Sequence, residues 1–98
     1  MLWGSNTETF SHSTGGYYFS FLLKKMSDGK VRLYIKNQPN YGARSSGLHD
    51  THRYDSSDGY YVCIRGDLEP SNFRDAKDWA KYWSKQTANY IRTGQSFS

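Results

Sequence analysis

Aromatic and basic residues alternate in several short stretches of this sequence, with the period of two that is typical of β-strands. Such a pattern places rings and cations together on one face of a sheet. This combination is typical of surfaces that bind single-stranded nucleic acid, because bases stack on the rings and phosphates contact the basic groups. An ordinary solvated sheet face contains the same residue types, so the pattern alone does not distinguish the two. The residues expected on this face are Tyr18, Ser20, Arg32, Tyr34, Lys36, Tyr61 and Arg65.

A second candidate site is the stretch 40–53, in which glycines and serines lie beside two arginines and two histidines. Small residues allow backbone N–H groups to turn towards a ligand, and the serine and arginine side chains can complete a phosphate-binding cradle. The lysine and the glycine spacing of a Walker P-loop are missing, so a flexible loop is an equally good interpretation. Arg44 is the first choice as a phosphate ligand, because no structural task is evident for it. The candidates in this stretch are Tyr41, Arg44, Ser45, Ser46, His49 and Arg53.

His49 and His52 lie near the single cysteine, Cys63, and near two aspartates, which raises the question of metal binding or catalysis. Zinc sites usually contain paired ligand clusters, whereas Cys63 stands alone, and residues three apart on a strand face opposite sides. A nucleophilic pair of Cys63 and His52 lacks a third residue at an informative spacing. We therefore expect no metal, no cofactor and no enzymatic activity.

These side chains need a scaffold, and its clearest element is a helix over residues 72–91. Apolar and aromatic side chains recur there at steps of three and four, which predicts an amphipathic helix with one buried face. Asn72 is expected to cap the first turn and Gly94 to end the helix in a left-handed conformation. The polar face includes Ser84. The buried face consists of Phe73, Ala76, Trp79, Ala80, Trp83, Thr87, Tyr90 and Ile91.

Two hairpins are expected to cover the buried face of that helix. Alternation over 17–24 and 31–36, with a Ser-Asp-Gly turn between them, predicts the first hairpin. A shorter strand at 51–54 and another at 60–65 predict the second hairpin, which follows a long loop at 40–48. The apolar face of these strands consists of Phe19, Phe21, Leu23, Val31, Leu33, Ile35, Val62 and Ile64.

The N-terminal residues 1–16 are rich in serine, threonine and glycine, so we expect a flexible arm. Trp3 is its candidate for docking on the domain or on a partner. Residues 17–98 then form a single α+β domain, in which a four-stranded antiparallel sheet of two hairpins carries one C-terminal helix on one face. No motif in the chain points to a particular protein family.

Composition and charge narrow the class of protein. The chain of 98 residues allows one domain, and nine tyrosines suit a half-buried surface that faces a ligand. The net charge of +4 favours acidic partners by long-range attraction. A single cysteine excludes an internal disulfide, and no apolar run is long enough to span a bilayer. We therefore expect a cytoplasmic protein without a membrane anchor.

Two functional hypotheses follow from these patterns. The first is a small non-enzymatic protein that binds nucleic acid or another phosphate-bearing ligand through the basic, tyrosine-rich sheet face and the 40–53 loop. The alternative is a small inhibitor, of the kind that phages encode as accessory or anti-defence proteins, which binds a protein partner and blocks its surface. Tyrosine and arginine are favoured anchors of such interfaces. A homodimer is also compatible with an open sheet face.

Overall fold

The structure is a computed structural model, and it describes residues 6–97. The expectation that Trp3 docks on the domain concerns a residue outside this range. An antiparallel sheet and a C-terminal helix form an α+β fold, which confirms the predicted class. Neither helix in this part of the chain combines the length and the apolar character that a bilayer crossing requires. The strands are β1 (Thr7–Thr14), β2 (Tyr17–Lys25), β3 (Val31–Asn37), β4 (Arg53–Tyr54) and β5 (Tyr61–Val62), and the helices are α1 (Leu48–Thr51) and α2 (Phe73–Thr93).

The five strands form one sheet in the order β1-β2-β3-β5-β4, with antiparallel pairing between all neighbours. A tight turn at Gly15 and Gly16 joins β1 to β2. Both glycines have positive φ angles, 58° and 82°, which a two-residue hairpin turn requires. The pairing of β2 with β3 shifts between Ser20 and Phe21, so this hairpin contains an irregularity in register.

β1 is the strand that the sequence analysis misses, and it raises the number of strands from four to five. The flexible arm predicted for residues 1–16 contains it. All eight residues of β1 pair with β2, and threonine at alternate positions favours this extended conformation. Its inward face also contacts the core, because Glu8 forms an ion pair with Lys77 of α2 and the Phe10 ring lies 6.5 Å from that of Phe21.

α2 packs across one face of the sheet, as predicted. Trp83 is 2% exposed, and its ring meets the rings of Phe19 and Phe21 edge-on at 5.9 and 6.0 Å. The predicted ends of the helix are confirmed as well. Asn72 accepts the backbone N–H of Asp75 at 2.8 Å, and Gly94 ends the helix with a φ of 78°.

Four positions of α2 differ from expectation, because Phe73, Trp79 and Ile91 are only partly buried and Ser84 is buried. Trp79 is only partly buried and pairs edge-on with Tyr82 at 5.9 Å, so it borders an open cleft instead of lying in the centre of the core. Ser84 is fully buried, although it was assigned to the polar face. Its hydroxyl donates to the carbonyl of Ala80 at 2.7 Å, and this bond satisfies the polar group within the core.

The second hairpin is shorter than predicted and is preceded by a helical turn. Thr51 ends α1 instead of beginning a strand, and His52 then adopts the left-handed conformation with a φ of 51°. Only β4 and β5 follow as strands, so Ile64 and Arg65 lie beyond the sheet. The left-handed backbone of His52 departs from the extended conformation of a strand, although its carbonyl still accepts the backbone N–H of Cys63 at 2.9 Å.

Candidate functional site

The sheet face opposite α2 carries a row of aromatic side chains. Tyr34 of β3, Tyr61 of β5 and Tyr54 of β4 are cross-strand partners. The ring centroids are 5.8 Å apart for Tyr34 and Tyr61 and 5.4 Å apart for Tyr54 and Tyr61. We call these three residues the tyrosine row. Tyr34 is 3% exposed and Tyr54 is 48% exposed, so the row offers its rings to solvent mainly at the β4 edge.

Basic side chains flank the tyrosine row. The guanidinium carbon of Arg32 lies 4.2 Å from the centre of the Tyr61 ring, and its Nη1 donates to the Tyr34 hydroxyl at 3.2 Å. The Lys36 ammonium lies 5.8 Å from the centre of the Tyr34 ring. Lys24 is the cross-strand neighbour of Arg32 on β2. The structure thus brings together four of the residues predicted for this face, namely Arg32, Tyr34, Lys36 and Tyr61.

Arg32 remains charged in this setting. Partial burial tends to lower the pKa of its guanidinium, but its hydrogen bond with Tyr34 and the charge of Glu69, among other neighbours, raise that pKa overall. Glu69 approaches from the loop before α2. The outward-facing strand positions themselves hold no acidic residue in the described part of the sheet, so the face is positively charged.

Three predicted site residues lie elsewhere. Arg65 follows β5 and is paired with Asp67 through a contact of 2.6 Å, which neutralises its charge. His49 lies on α1 with its ring stacked on that of His52 at 6.5 Å. Ser45 uses its carbonyl oxygen to accept a hydrogen bond from the Tyr90 hydroxyl at 2.8 Å. The structure therefore does not bring these three residues together with Arg32 and Tyr34.

Arg44 has a structural task that its sequence position does not show. Its Nε and Nη2 donate to the carbonyl oxygens of Ile91 and Arg92, each at 3.2 Å. These carbonyls belong to the last turn of α2 and have no partner within the helix. A cation at this end also opposes the helix dipole. The expectation that Arg44 has no structural task is therefore wrong.

The predicted backbone cradle in the 40–53 loop is largely occupied by the loop itself. The N–H of Gly42 donates to the Asn40 side chain, and the N–H of Gly47 donates to the Ser45 hydroxyl. The N–H of Arg44 donates to the carbonyl of Tyr41. These internal bonds give the loop a defined conformation and leave those N–H groups unavailable to a phosphate.

Beside this loop lies a cavity of about 600 Å³, which we call the Arg53 cavity. It joins the end of β3, the loop and the start of β5. None of the described residues that line the cavity is acidic. The larger polar and aromatic residues that line it are Lys36, Gln38, Tyr41, Arg44, Arg53 and Tyr60.

Arg53 is held firmly in the wall of this cavity. Its Nε donates to the hydroxyl of Thr51 and its Nη2 to the carbonyl of Ser46, both at 2.9 Å. The guanidinium carbon lies 4.1 Å from the centre of the Tyr60 ring and 5.0 Å from that of Tyr41. Thr51, in turn, accepts the indole N–H of Trp83 on its carbonyl, so the core of the protein positions Arg53.

Within residues 6–97, two polar atoms in the same wall are buried without a hydrogen bond of good geometry, the Tyr41 hydroxyl and the Gln38 side-chain oxygen. Burial raises the pKa of the Tyr41 hydroxyl, and nearby Gln38, Arg53 and Thr51 offset only part of that rise. Tyr41 is therefore neutral at physiological pH and keeps its hydroxyl proton.

The histidines and the cysteine form a separate cluster. Burial lowers the pKa of His52, His49 lowers it further, and Asp50 acts in the opposite direction. The neighbouring Cys63 thiol raises the pKa of the Tyr54 hydroxyl. Within residues 6–97, no three histidine, cysteine or acidic side chains come together as metal ligands.

Four residues of the two sites are missing from the predictions: Lys24, Gln38, Tyr54 and Tyr60. Strand alternation places Lys24 on the same face as Tyr18, so its position was available from the sequence. Tyr54 belongs to a predicted strand, and its pairing opposite Tyr61 follows once the register of that hairpin is known. Nothing in the sequence marks Gln38 or the contact between Tyr60 and Arg53.

Lys36 places its ammonium group beside the tyrosine row and is also one of the residues that line the Arg53 cavity. No protein-family model, curated protein or solved structure matches this chain.

Proposed function

We propose that this protein is a small non-enzymatic binding protein that holds single-stranded nucleic acid on the sheet face opposite α2. The observation that carries the proposal is the tyrosine row with Arg32 and Lys36 beside it. Rings can stack on bases, and the adjacent cations can contact phosphates, so one surface supplies both contacts that a single strand needs.

The arrangement of Arg32 supports this proposal. Its side chain is already held by the Tyr34 hydroxyl and the Tyr61 ring, so less conformational entropy is lost when a phosphate binds. Tyr54 exposes about half of its surface and is available for stacking. A base stacked on Tyr54 contributes about 1–3 kcal/mol, and phosphate contacts with Arg32 and Lys36 add to it.

The test is a fluorescence anisotropy titration with short single-stranded oligothymidylate and oligouridylate at low and high salt. Affinity should fall steeply as salt rises, because each neutralised phosphate releases bound counterions. Absence of binding at low salt would refute the proposal.

A matched pair of variants locates the binding face. Tyr54 and Tyr82 are similarly exposed, at 48% and 43%, but Tyr82 lies on α2. Tyr54→Leu should lose about 1–3 kcal/mol of binding free energy, the contribution of one stacked base. Tyr82→Leu should retain the affinity of the wild type. Equal losses in the two variants would exclude the sheet face as the site.

A second candidate function, binding to a protein partner, is favoured by the open cleft on α2. Trp79 and Tyr82 line this cleft together with Asp75 and Asp78. Large aromatic side chains of this kind are frequent anchors of protein interfaces. One stoichiometric protein that is retained by the wild type and lost with Tyr82→Leu in a pulldown would support this function.

A further inference from the structure

β1 forms one edge of the sheet, and β2 is its only strand partner within residues 6–97. Hydrogen bonds alternate along an antiparallel pair, so every second residue of an edge strand directs its N–H and C=O groups away from the sheet. The N–H of Lys25 donates to the carbonyl of Asn6 at 2.8 Å, which fixes this alternation. The backbone groups that point outward therefore include those of Thr9, Ser11 and Ser13, and all three residues are exposed.

This edge lacks the features with which soluble proteins prevent further strand pairing. Such features are a proline, a lysine, a bulge or a very short strand. β1 has eight residues, contains neither proline nor lysine, and pairs with β2 in a regular register. The opposite edge of the sheet, β4, has only two residues. β1 is therefore the edge that can accept a further strand.

α2 runs beside β1 in the same direction. Lys77, near the start of the helix, forms an ion pair with Glu8, near the start of the strand. Towards the other end of both elements, Arg92 lies against Gly15 in the turn that follows β1. A cavity of about 290 Å³ opens at that end, and its lining includes Gly15, Lys85 and Arg92. A strand added to β1 would therefore lie beside this flank of the helix.

The flank of α2 next to β1 is basic. Lys81 and Lys85 follow Lys77 at steps of four residues, so the three side chains lie on one side of the helix. Glu8 neutralises Lys77. None of the ion pairs within residues 6–97 involves Lys81, Lys85 or Arg92. Successive lysines lie about 6 Å apart along the helix axis, and alternate side chains of an extended strand lie about 7 Å apart. The spacing therefore allows alternate acidic side chains of an added strand to meet successive lysines.

We propose that the β1 edge binds an extended acidic segment of a partner protein as a sixth strand of the sheet. The outward backbone groups of β1 supply hydrogen bonds that depend little on the sequence of the segment, as in other complexes formed by strand addition. Specificity comes from the side chains on the α2 side of the added strand, because these meet Lys81 and Lys85. Phe10 is half-buried on the same side, so it favours an apolar side chain between two acidic ones.

The charges argue against a second copy of this chain on the same edge. Antiparallel pairing of two β1 strands about a twofold axis places both α2 helices on the same face of the joined sheet. Their basic flanks would then face each other across the axis, and the like charges would repel. An acidic segment gains attraction from the same side chains.

The first experiment is a fluorescence anisotropy titration with a short labelled peptide in which threonine alternates with glutamate, with one central valine in place of a glutamate. This peptide should bind the wild-type protein at low salt, and its affinity should fall as salt rises. A peptide with lysine in place of each glutamate should not bind. Absence of binding by the acidic peptide, or equal affinity for the two peptides, would overturn the inference.

Methylation of the peptide backbone shows whether the peptide binds as a strand. Alternate N–H groups of an added strand face β1, and the others face solvent. Two versions of the acidic peptide carry N-methyl groups either on the threonines or on the residues between them. One version should lose at least about tenfold in affinity, and the other should bind like the unmodified peptide. Equal affinities of the two methylated versions would contradict strand addition.

Ser11→Pro tests the edge itself. It removes an outward N–H, and proline is tolerated on an edge strand where that N–H faces solvent. The variant should bind the acidic peptide at least about tenfold more weakly. Ser11→Ala keeps the N–H and should keep the affinity, so equal affinities of the two variants would refute the assignment of the edge. If thermal melts show that Ser11→Pro does not fold, the methylated peptides on the wild-type protein still decide.

Lys85→Glu tests the basic flank. It should weaken binding of the acidic peptide about fivefold, because it replaces an attraction by a repulsion. Lys30→Glu, in the turn between β2 and β3, makes the same change of charge and should keep the affinity. Equal losses in the two variants would contradict a contact with α2. Sedimentation of the wild type checks the other occupant of the edge, since a dimer that dissociates with Ser11→Pro would assign the edge to a second copy and overturn the inference.

Discussion

Thr51→Val tests the hydrogen bonds that hold Arg53. The Thr51 hydroxyl accepts from Arg53 Nε at 2.9 Å and donates to the Gly47 carbonyl at 2.8 Å. Thr51 is fully buried, and valine has nearly the same shape. The substitution therefore removes the hydroxyl without leaving a large cavity.

The expected loss in the free energy of unfolding comes mainly from Arg53. Its Nε–H becomes a buried donor without a partner, which costs about 2–3 kcal/mol for a charged group. The Gly47 carbonyl loses less, because it still accepts the backbone N–H of Thr51 at 3.0 Å. For a domain of this size, the melting temperature should then fall by about 10–20 °C.

Thr87→Val is the matched control. Thr87 is also fully buried, but its hydroxyl has no hydrogen-bond partner among the described residues. Its removal should leave the free energy of unfolding unchanged or increase it by up to about 1 kcal/mol, since an unpaired buried hydroxyl is unfavourable. Urea denaturation of both variants measures the difference. Equal midpoints would show that the Thr51 hydroxyl does not hold Arg53, and the reasoning about the cavity wall would fail.

The other predictions concern α2. Arg44→Ala should lower the free energy of unfolding by about 1 kcal/mol, because two carbonyls at the helix end lose a charged donor. Arg74→Ala, at the exposed opposite end, should stay within about 0.5 kcal/mol of the wild type, and equal denaturation midpoints would contradict the cap. Trp83→Ala should lower the free energy of unfolding by about 3–5 kcal/mol, because it leaves a cavity at the centre of the core. Trp79→Ala should cost clearly less, and similar melting temperatures would contradict the assigned core.

The parts of the fold that depend on local chemistry are predictable from the sequence. Asn72 and Gly94 mark the ends of α2 because capping acts within one turn. β1 is harder to predict from local chemistry, since its serines and threonines are also typical of a flexible polar tail. The signal that reveals it is Gly15-Gly16, which is typical of a two-residue hairpin turn between alternating stretches. That signal carries weight only when the pairing partner, β2, is considered with it.

The site is less predictable because its decisive contacts join distant residues. Arg44 reaches helix carbonyls 47 and 48 residues away, so its capping task leaves no local pattern. Arg53 is among the candidates from the sequence, but its burial depends on Ser46, Tyr41 and Tyr60. Sequence periodicity places a side chain on a face and does not show which side chains cover it.

The most direct test of the proposed function is a ¹H–¹⁵N NMR titration of the wild-type protein with a short oligothymidylate. The proposal predicts that amide signals of Arg32, Tyr34, Tyr54 and Tyr61 shift during the titration, while those on the exposed face of α2, such as Lys81, do not. Signal changes confined to the cleft at Trp79 and Tyr82, or no changes at low salt, would contradict it.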